Sequence, residues 1–311
     1  MAEIPLLDWR QFENDLSGFS AQMGKVARET GFMLIKNHPV PADLIARMFE
    51  MADGFFALPV AEKARLDIST NRNNRGWAGV GTENLDDSQP GQKDAKQAFN
   101  IGLDLAANDP RILAGAPFRG VNLWPDLPGF RETGLAYFDA VLTMGQRLHR
   151  AIEMDLGLPQ DYFESSLDQS LSTLRMLSYP AATGAVGEIG AGAHTDYGSV
   201  TLLMTDGAPG LQVKPVGGDW MDVPHIDGAY VVNIGDCLMR WSNDIYKSTS
   251  HRVLPPPRPR RSLAFFLDPN PDAVIKALPG TGDAKYPAIT GADYLRSRLD
   301  ATYIPKDLQE D

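Results

Sequence analysis

The chain changes texture near residue 170, and that change restricts its fold more than any other feature. Before it, apolar residues recur at helical spacing. Phe12, Leu16, Phe19, Met23 and Val26 step alternately by four and three and would line one helix face. Gly18 and Gly24 weaken that helix. "GFMLIKNH", starting at Gly31, reads as a short strand. Pro41 to Leu58 reads as a second helix with Pro41 in its first turn. Residues 59 to 127 are expected to be polar and irregular, and Gly129 to Leu156 to form the longest helix, stopped by Gly157 and Pro159. After residue 170 come short β-rich runs broken by Pro, Gly, Asn and Asp: "TLRMLSY", "SVTLLMT", "LQVKPV", "AYVVNIG", "CLMRW" and "SLAFFLD". Helices first and strands later indicate α+β packing rather than alternating βαβ units, and many short strands indicate a sandwich or barrel. "GVGTEN" and "GEIGAG" lack the strand and helix that flank a nucleotide-binding glycine loop, so both read as loops.

The 311 residues are 43% apolar, which argues against disorder and allows a large core. A formal net charge of −11 argues against a phosphate-backbone binder. The densest basic run, "RPRR" from Arg258 to Arg261, is too short to offset it. Cys237 is the single cysteine, so no intrachain disulfide or CxxC motif exists, and a buried packing role is expected for it. The start, "MAEIPLLDWRQ", lacks the features of a signal peptide, and no apolar run has the length of a membrane span. The expectation is a cytoplasmic monomer acting on a small molecule, with no nucleic-acid or membrane partner.

Five histidines carry the chemical argument. His149 sits within the long helical pattern and His38 at a strand end, and packing roles suffice for both. Two H-x-D triplets remain: His194-Thr195-Asp196 and His225-Ile226-Asp227. In a strand, residues i and i+2 share a face, so either triplet could aim a nitrogen and an oxygen at one ion. The second lies between Pro224 and Gly228 and reads as a turn, whereas the first opens a β-rich run. His251 is the third candidate ligand. Two imidazoles and a carboxylate on one side of a metal form the facial triad of non-haem Fe(II) oxygenases. Zn²⁺ suits the same set, which leaves a hydrolytic or isomerising enzyme as a rival. Downstream, "RRSLAFFLDPN" puts Arg260 and Ser262 on one strand face and Arg261 on the other. A guanidinium fork and a hydroxyl facing inward make a carboxylate clamp. Zinc chemistry does not explain that clamp. A non-catalytic jelly-roll protein that merely binds a carboxylate would not need the intact triad. Asp236, in "NIGDCL", reads as a turn carboxylate between strands.

Together these residues resemble the iron(II)/2-oxoglutarate-dependent dioxygenases, in the branch of isopenicillin N synthase and the plant flavonoid and hormone oxygenases. That family's pattern, H-x-D, a distant H, then R-x-S, is met by His194-Thr195-Asp196, His251 and Arg260-Arg261-Ser262. The resemblance extends along the chain through "IPLLDW", "ETGFMLIKNHPVP", "FFALPVAEKARL", "RGW", "NLWPDLPGFRE", "LRMLSYP", "NIGDCLMRWSNDIYKSTSHRV" and "AFFLDPN". Pro39 stands where glycine is usual, and Leu177 where plant members usually carry Asn. The resemblance implies a double-stranded β-helix, or distorted jelly roll, flanked by N-terminal helices. It implies one catalytic unit over residues 1–311: a mostly helical part at 1–165, a jelly-roll core at 170–275 and a helical tail at 276–311. It implies Fe(II) held by His194, Asp196 and His251, and 2-oxoglutarate held by Arg260, Ser262 and Tyr179. O₂ is the co-reactant, with ascorbate as a reductant. No further acid or base is required. The activity implied is oxidative decarboxylation of 2-oxoglutarate coupled to hydroxylation, desaturation or cyclisation of a small molecule. The alternative within the branch is an isopenicillin N synthase-like oxidase that does not use 2-oxoglutarate. Substrate contacts are expected from about residue 70 to 105 and from the C-terminal "ADYLRSRLDATY".

Overall fold

The helical stripe from Phe12 to Val26 is split in two at Asp15. The computed structural model describes residues 3–71, 73–86 and 93–302. In it, β1 (Leu6–Asp8) passes directly into α1 (Trp9–Asn14), and α2 (Leu16–Glu29) starts afresh. Asp15 causes the break, because its carboxylate accepts the Gly18 N–H at 2.9 Å and caps α2. Phe12 still stacks edge-on against Phe19, so the apolar face survives the break. β2 (Phe32–Lys36) follows, then α3 (Ala42–Phe56), with Pro41 at its N-cap rather than within its first turn.

Residues 59 to 127 hold more order than their composition suggests. They include α4 (Val60–Ala64), β3 (Gly76–Ala78), β4 (Gln97–Gly102) and α5 (Pro110–Leu113). β4 escapes a sequence reading because it is buried on both faces and shows little polar alternation. The long helix is α6 (Phe130–Asp155), followed by α7 (Glu164–Leu167). Then come β5 (Thr173–Tyr179), β6 (Ala191–His194), β7 (Val200–Thr205), β8 (Leu211–Lys214), β9 (Met221–Asp222) and β10 (Tyr230–Ile234). "CLMRW" is not a strand: it lies in α8 (Asp236–Trp241). Cys237, Leu238 and Trp241 are buried at helical spacing there, and five apolar-rich residues are too few for periodicity to separate helix from strand. The chain ends with β11 (Ser250–Val253), β12 (Arg260–Leu267), the short pair β13 (Val274–Ile275) and β14 (Ile289–Thr290), and α9 (Gly291–Thr302).

Two sheets face each other. The larger runs β1-β2-β10-β7-β12-β5-β4-β3 and the smaller β6-β11-β8-β9. Strand alternation divides the larger sheet's side chains between two cores. Leu174, Met176, Leu202, Val232, Leu263, Phe265 and Leu267 join the core shared with α2, α3 and α6. Leu34, Leu177, Tyr179, Val231 and Ala264 face the smaller sheet with Val213 and Val253. The α6 helix comes so close that a Cβ on Gly145 would stand 2.5 Å from Leu267 Cδ1. Strands from the first 102 residues and from the later chain interleave in one sheet, a jelly-roll α+β architecture with its helices packed on one face. Among the described residues, no helix is long and apolar enough to cross a membrane.

Candidate metal centre and substrate cavities

The smaller sheet brings two of the three expected ligands together by strand pairing. His194 ends β6, and its antiparallel partner on β11 is His251. Asp196 lies just past β6 in a loop, so the triplet shares a site through a turn rather than through strand alternation. Asp196 Oδ1 stands 3.8 Å from His194 Nε2 and 3.5 Å from His251 Nε2. The three ligand atoms all lie within 4.8 Å of one another.

The surroundings fix which atoms remain for an ion. His194 Nδ1 donates to Gly192 O at 2.7 Å and His251 Nδ1 to Thr249 O at 3.2 Å. A carbonyl only accepts, so each ring keeps its Nε2 lone pair for the centre. Asp196 Oδ2 accepts from the Thr201 hydroxyl at 2.6 Å and from Asn233 Nδ2 at 2.8 Å, leaving Oδ1 for the centre. Two neutral imidazole nitrogens and one carboxylate oxygen are the donor set that iron(II) takes in a facial triad. Burial and the adjoining His251 push His194 down to about 3, so it stays an uncharged ligand. Burial opposes the charge on Asp196, but the His251 and His194 rings and the Thr201 hydroxyl hold its carboxyl well below the usual range. Burial likewise opposes a charged His251, yet Asp196 beside it moves its pKa upward overall.

A cavity of about 80 Å³ runs from this triad to Arg260, Ser262 and Tyr179. Arg260 is 1% exposed. Its Nη1 donates to Ser262 Oγ at 3.3 Å, and its guanidinium lies 4.9 Å over the Tyr179 ring. Arg260 Nε has no hydrogen-bond partner among the described residues, and no carboxylate there forms an ion pair with this guanidinium. A buried cation without a counter-charge calls for an anion. The keto-dicarboxylate 2-oxoglutarate fits this pair of sites, one end at the triad and the other at the clamp. Leu177 lines the same cavity. Arg261 faces away, paired with Asp206 and Asp53.

A second cavity, of about 120 Å³, opens on the other side of His194 and Asp196. Asn74, Glu83, Leu85 and Asn100 border it from the 70–105 segment, and Leu295 and Leu299 of α9 border it from the C-terminal helix. Both regions are those expected to meet substrate. Between the cavities runs a buried ionic network that the sequence did not reveal. Lys96 Nζ pairs with Asp94 at 2.5 Å and Glu83 at 3.3 Å, and Arg175 with Glu83 at 2.6 Å. Asp94 Oδ1 accepts the Gly192 N–H at 2.9 Å, which fixes the same peptide segment that orients His194. Burial opposes the charge on Glu83, but Arg175 and Lys96 bring its carboxyl down to about 2.

The remaining histidines stay apart from the centre. His225 lies near the exposed Asp227, at 3.2 Å, and the Thr205 hydroxyl, at 3.5 Å. His38 bonds to Gly228 O and packs on Tyr230. His149 is buried between Gly145 O and Ser199 Oγ. Asp236 is the first residue of α8, not a turn between strands. It accepts from the Thr195 hydroxyl and pairs with Arg298. Cys237 is buried.

Comparison with known proteins places the chain in a family. Residues 4–127 match the family described as non-haem dioxygenase in morphine synthesis N-terminal, and residues 169–269 match the 2OG-Fe(II) oxygenase superfamily. The 2-oxoglutarate-Fe(II) type oxidoreductase hxnY of Emericella nidulans is 36% identical, over 96% of this chain and 90% of that protein. Proline hydroxylase buaE of Petromyces alliaceus is 32% identical, over 97% of this chain and 100% of its own. The crystal structure of a full-length Neurospora crassa protein in complex with alpha-KG (2-oxoglutarate) and thymine superposes with a TM-score of 0.84 at 34% identity, covering 96% of each chain. The chain therefore belongs to the 2OG-Fe(II) oxygenase superfamily, as a non-haem iron enzyme that couples 2-oxoglutarate decarboxylation to oxidation of a small organic molecule.

Proposed function

We propose that His194, Asp196 and His251 hold the iron of this enzyme and that Arg260 and Ser262 bind the far carboxylate of 2-oxoglutarate, with Tyr179 beneath the guanidinium. The observation that carries the assignment is the buried Arg260. It has no carboxylate partner among the described residues and shares a cavity with the triad. When bound, iron supplies the electrons and open coordination sites for the oxidative chemistry. The chain's own residues bind, orient and exclude water. Thr201 and Asn233 fix the Asp196 carboxylate, and the Gly192 and Thr249 carbonyls set the two imidazoles. Leu177, Ala264 and Phe266 make the wall between clamp and triad largely apolar, which strengthens the Arg260–carboxylate contact by lowering the local dielectric. No side chain is needed as a general acid or base.

The relatives differ in what they act on: one is held with thymine, another is named for proline. For this chain we assign an uncharged small molecule to the cavity beside Asn100 and Leu295. The protein acts as a monomer in the cytoplasm, with neither nucleic acid nor membrane as partner. The test is 2-oxoglutarate consumption with Fe(II) and ascorbate, scored for stimulation by candidate substrates. Oxygen uptake indifferent to 2-oxoglutarate would refute the assignment of Arg260 and Ser262 to that cosubstrate.

A further inference from the structure

We propose that Asp94, held by Lys96, is a positioning residue for the metal centre: through the Gly192 peptide it sets the direction and the donor strength of His194. The inference rests on the assignment of His194 as an iron ligand and adds residues from the N-terminal half of the chain to that ligand's support.

The need for a support follows from the sheet. β6 is an edge strand of the smaller sheet and is four residues long. Its pairing with β11 is irregular, with a register shift between the His194–His251 and Ala191–Val253 partners. A short edge strand with a broken ladder is a loose mount for a metal ligand. The Gly192 N–H bonds outside the sheet, to Asp94 Oδ1 at 2.9 Å. The Ala95 N–H donates to Ile189 O at 2.9 Å, so residues 94 and 95 secure the strand and the turn before it. The same peptide packs against Asp86: a Cβ at Gly192 would stand 2.8 Å from Asp86 Cβ and 2.9 Å from Asp86 N. Close approach of backbone, and not a turn, is what requires glycine there.

The support is an ion pair. Asp94 is 1% exposed and Lys96 is 4% exposed. Lys96 Nζ meets Asp94 Oδ2 at 2.5 Å and Glu83 Oε2 at 3.3 Å. Burying two charges gains little stability by itself, and a neutral side chain could accept one N–H. A carboxylate accepts it more strongly. It also polarises the peptide beyond it, which makes the Gly192 carbonyl a better acceptor for the His194 Nδ1–H, 2.7 Å away. A stronger bond at Nδ1 fixes the ring and raises the basicity of Nε2, the atom left for iron. The equivalent bond of His251, to Thr249 O, is longer at 3.2 Å. The two imidazoles are thus held unequally, and Asp94 acts on one of them.

Co(II) titration of the metal-free protein tests this with two double variants. Asp94→Asn/Lys96→Met removes both charges and keeps an acceptor for Gly192. Asp94→Leu/Lys96→Met is nearly the same in shape and has no acceptor. The first should bind Co(II) within about threefold of wild type and the second about tenfold more weakly, the lower end of the loss expected when a ligand's outer hydrogen bonding is disturbed. Any general cost of losing the ion pair is common to both. Proton NMR of the Co(II) protein gives a readout local to each imidazole. Wild type should show two exchangeable, hyperfine-shifted Nδ1–H signals. The leucine variant should shift one of them and speed its exchange with water, leaving the other in place, whereas a loss of stability alone would not single out one ring. Asp94→Ala/Lys96→Met replaces the leucine variant should that one fail to fold. Equal Co(II) affinity with and without the acceptor overturns the proposal, as does equal movement of both signals. A wild-type protein that binds no Co(II), or shows fewer than two such signals, contradicts the assignment of the metal ligands instead.

Discussion

His194 and His251 face each other as antiparallel partners at the end of the smaller sheet, their ring centroids 4.3 Å apart. Sheet register therefore sets the spacing of the two imidazoles, and a one-residue slip would turn one of them to the opposite face. The carboxylate is held differently: Asp196 lies on a loop and depends on Thr201 and Asn233 for its direction.

That difference predicts a graded response in metal binding. Asn233→Ala should weaken iron or Mn(II) binding by roughly 10–100-fold, as loss of an outer hydrogen bond to a ligand does. Asp196→Ala should weaken it further while leaving the circular dichroism spectrum unchanged. Tight metal binding retained in Asp196→Ala would place the site elsewhere, with His225 and Asp227 next to be tried.

The two adjacent arginines on β12 should behave oppositely. Arg260 is buried and Arg261 pairs with Asp206 and Asp53 on the outer face. Arg260→Lys should raise the apparent constant for 2-oxoglutarate about tenfold or more, on the order of 1.5–3 kcal/mol for a hydrogen bond to a charged group. Arg261→Lys should change it little. Equal effects at both positions would sink the assignment of faces.

Removing residues 1 to 60 should yield insoluble or molten protein. The deletion takes β1 and β2, and β2 is the antiparallel neighbour of β10. It also uncovers α6, whose Phe138, Val141 and Met144 belong to the core shared with α2 and α3. A truncated chain that folds cooperatively and binds metal would show that the later residues form an independent unit.

His149 predicts a component of acid lability. Burial brings it down to about 4 from an ordinary value of 6.5, against the pull of the Gly145 carbonyl. The unfolded chain therefore takes up a proton that the folded one refuses. The stability involved is fully present above pH 6.5 and is lost as pH falls towards 4, with a slope of up to about 1.4 kcal/mol per pH unit. His149→Gln should flatten that part of the stability curve relative to wild type, as urea unfolding at a series of pH values would reveal.

The grouping of His194, Asp196 and His251 and the shared face of Arg260 and Ser262 were legible because their motif is local or fixed by residue type: H-x-D, one distant histidine, and R-x-S on alternating strand positions. The fold class was legible from the shift between helical and strand periodicity. β4 was not, because burial on both faces removes the alternation that marks a strand. α8 was not, because "CLMRW" is too short to reveal its period. The supporting residues were hidden for another reason. Asn233 and Asp94 act through distant partners, Asp196 and Gly192, and Thr201 and Lys96 through nearer ones, Asp196 and Asp94; a lone polar residue in either setting does not name its partner.

The register of β12 against β5 has an evolutionary corollary. Arg260 and Tyr179 pair at one end of that ladder, Phe266 and Thr173 at the other. Thr173 and Phe266 border the larger cavity, so on the proposed assignment mutations at that end remodel which compound is accepted while Arg260, Ser262 and the triad keep their positions. A lineage built on this strand pair can diversify its chemistry by drift at a few wall positions, holding its oxidant constant.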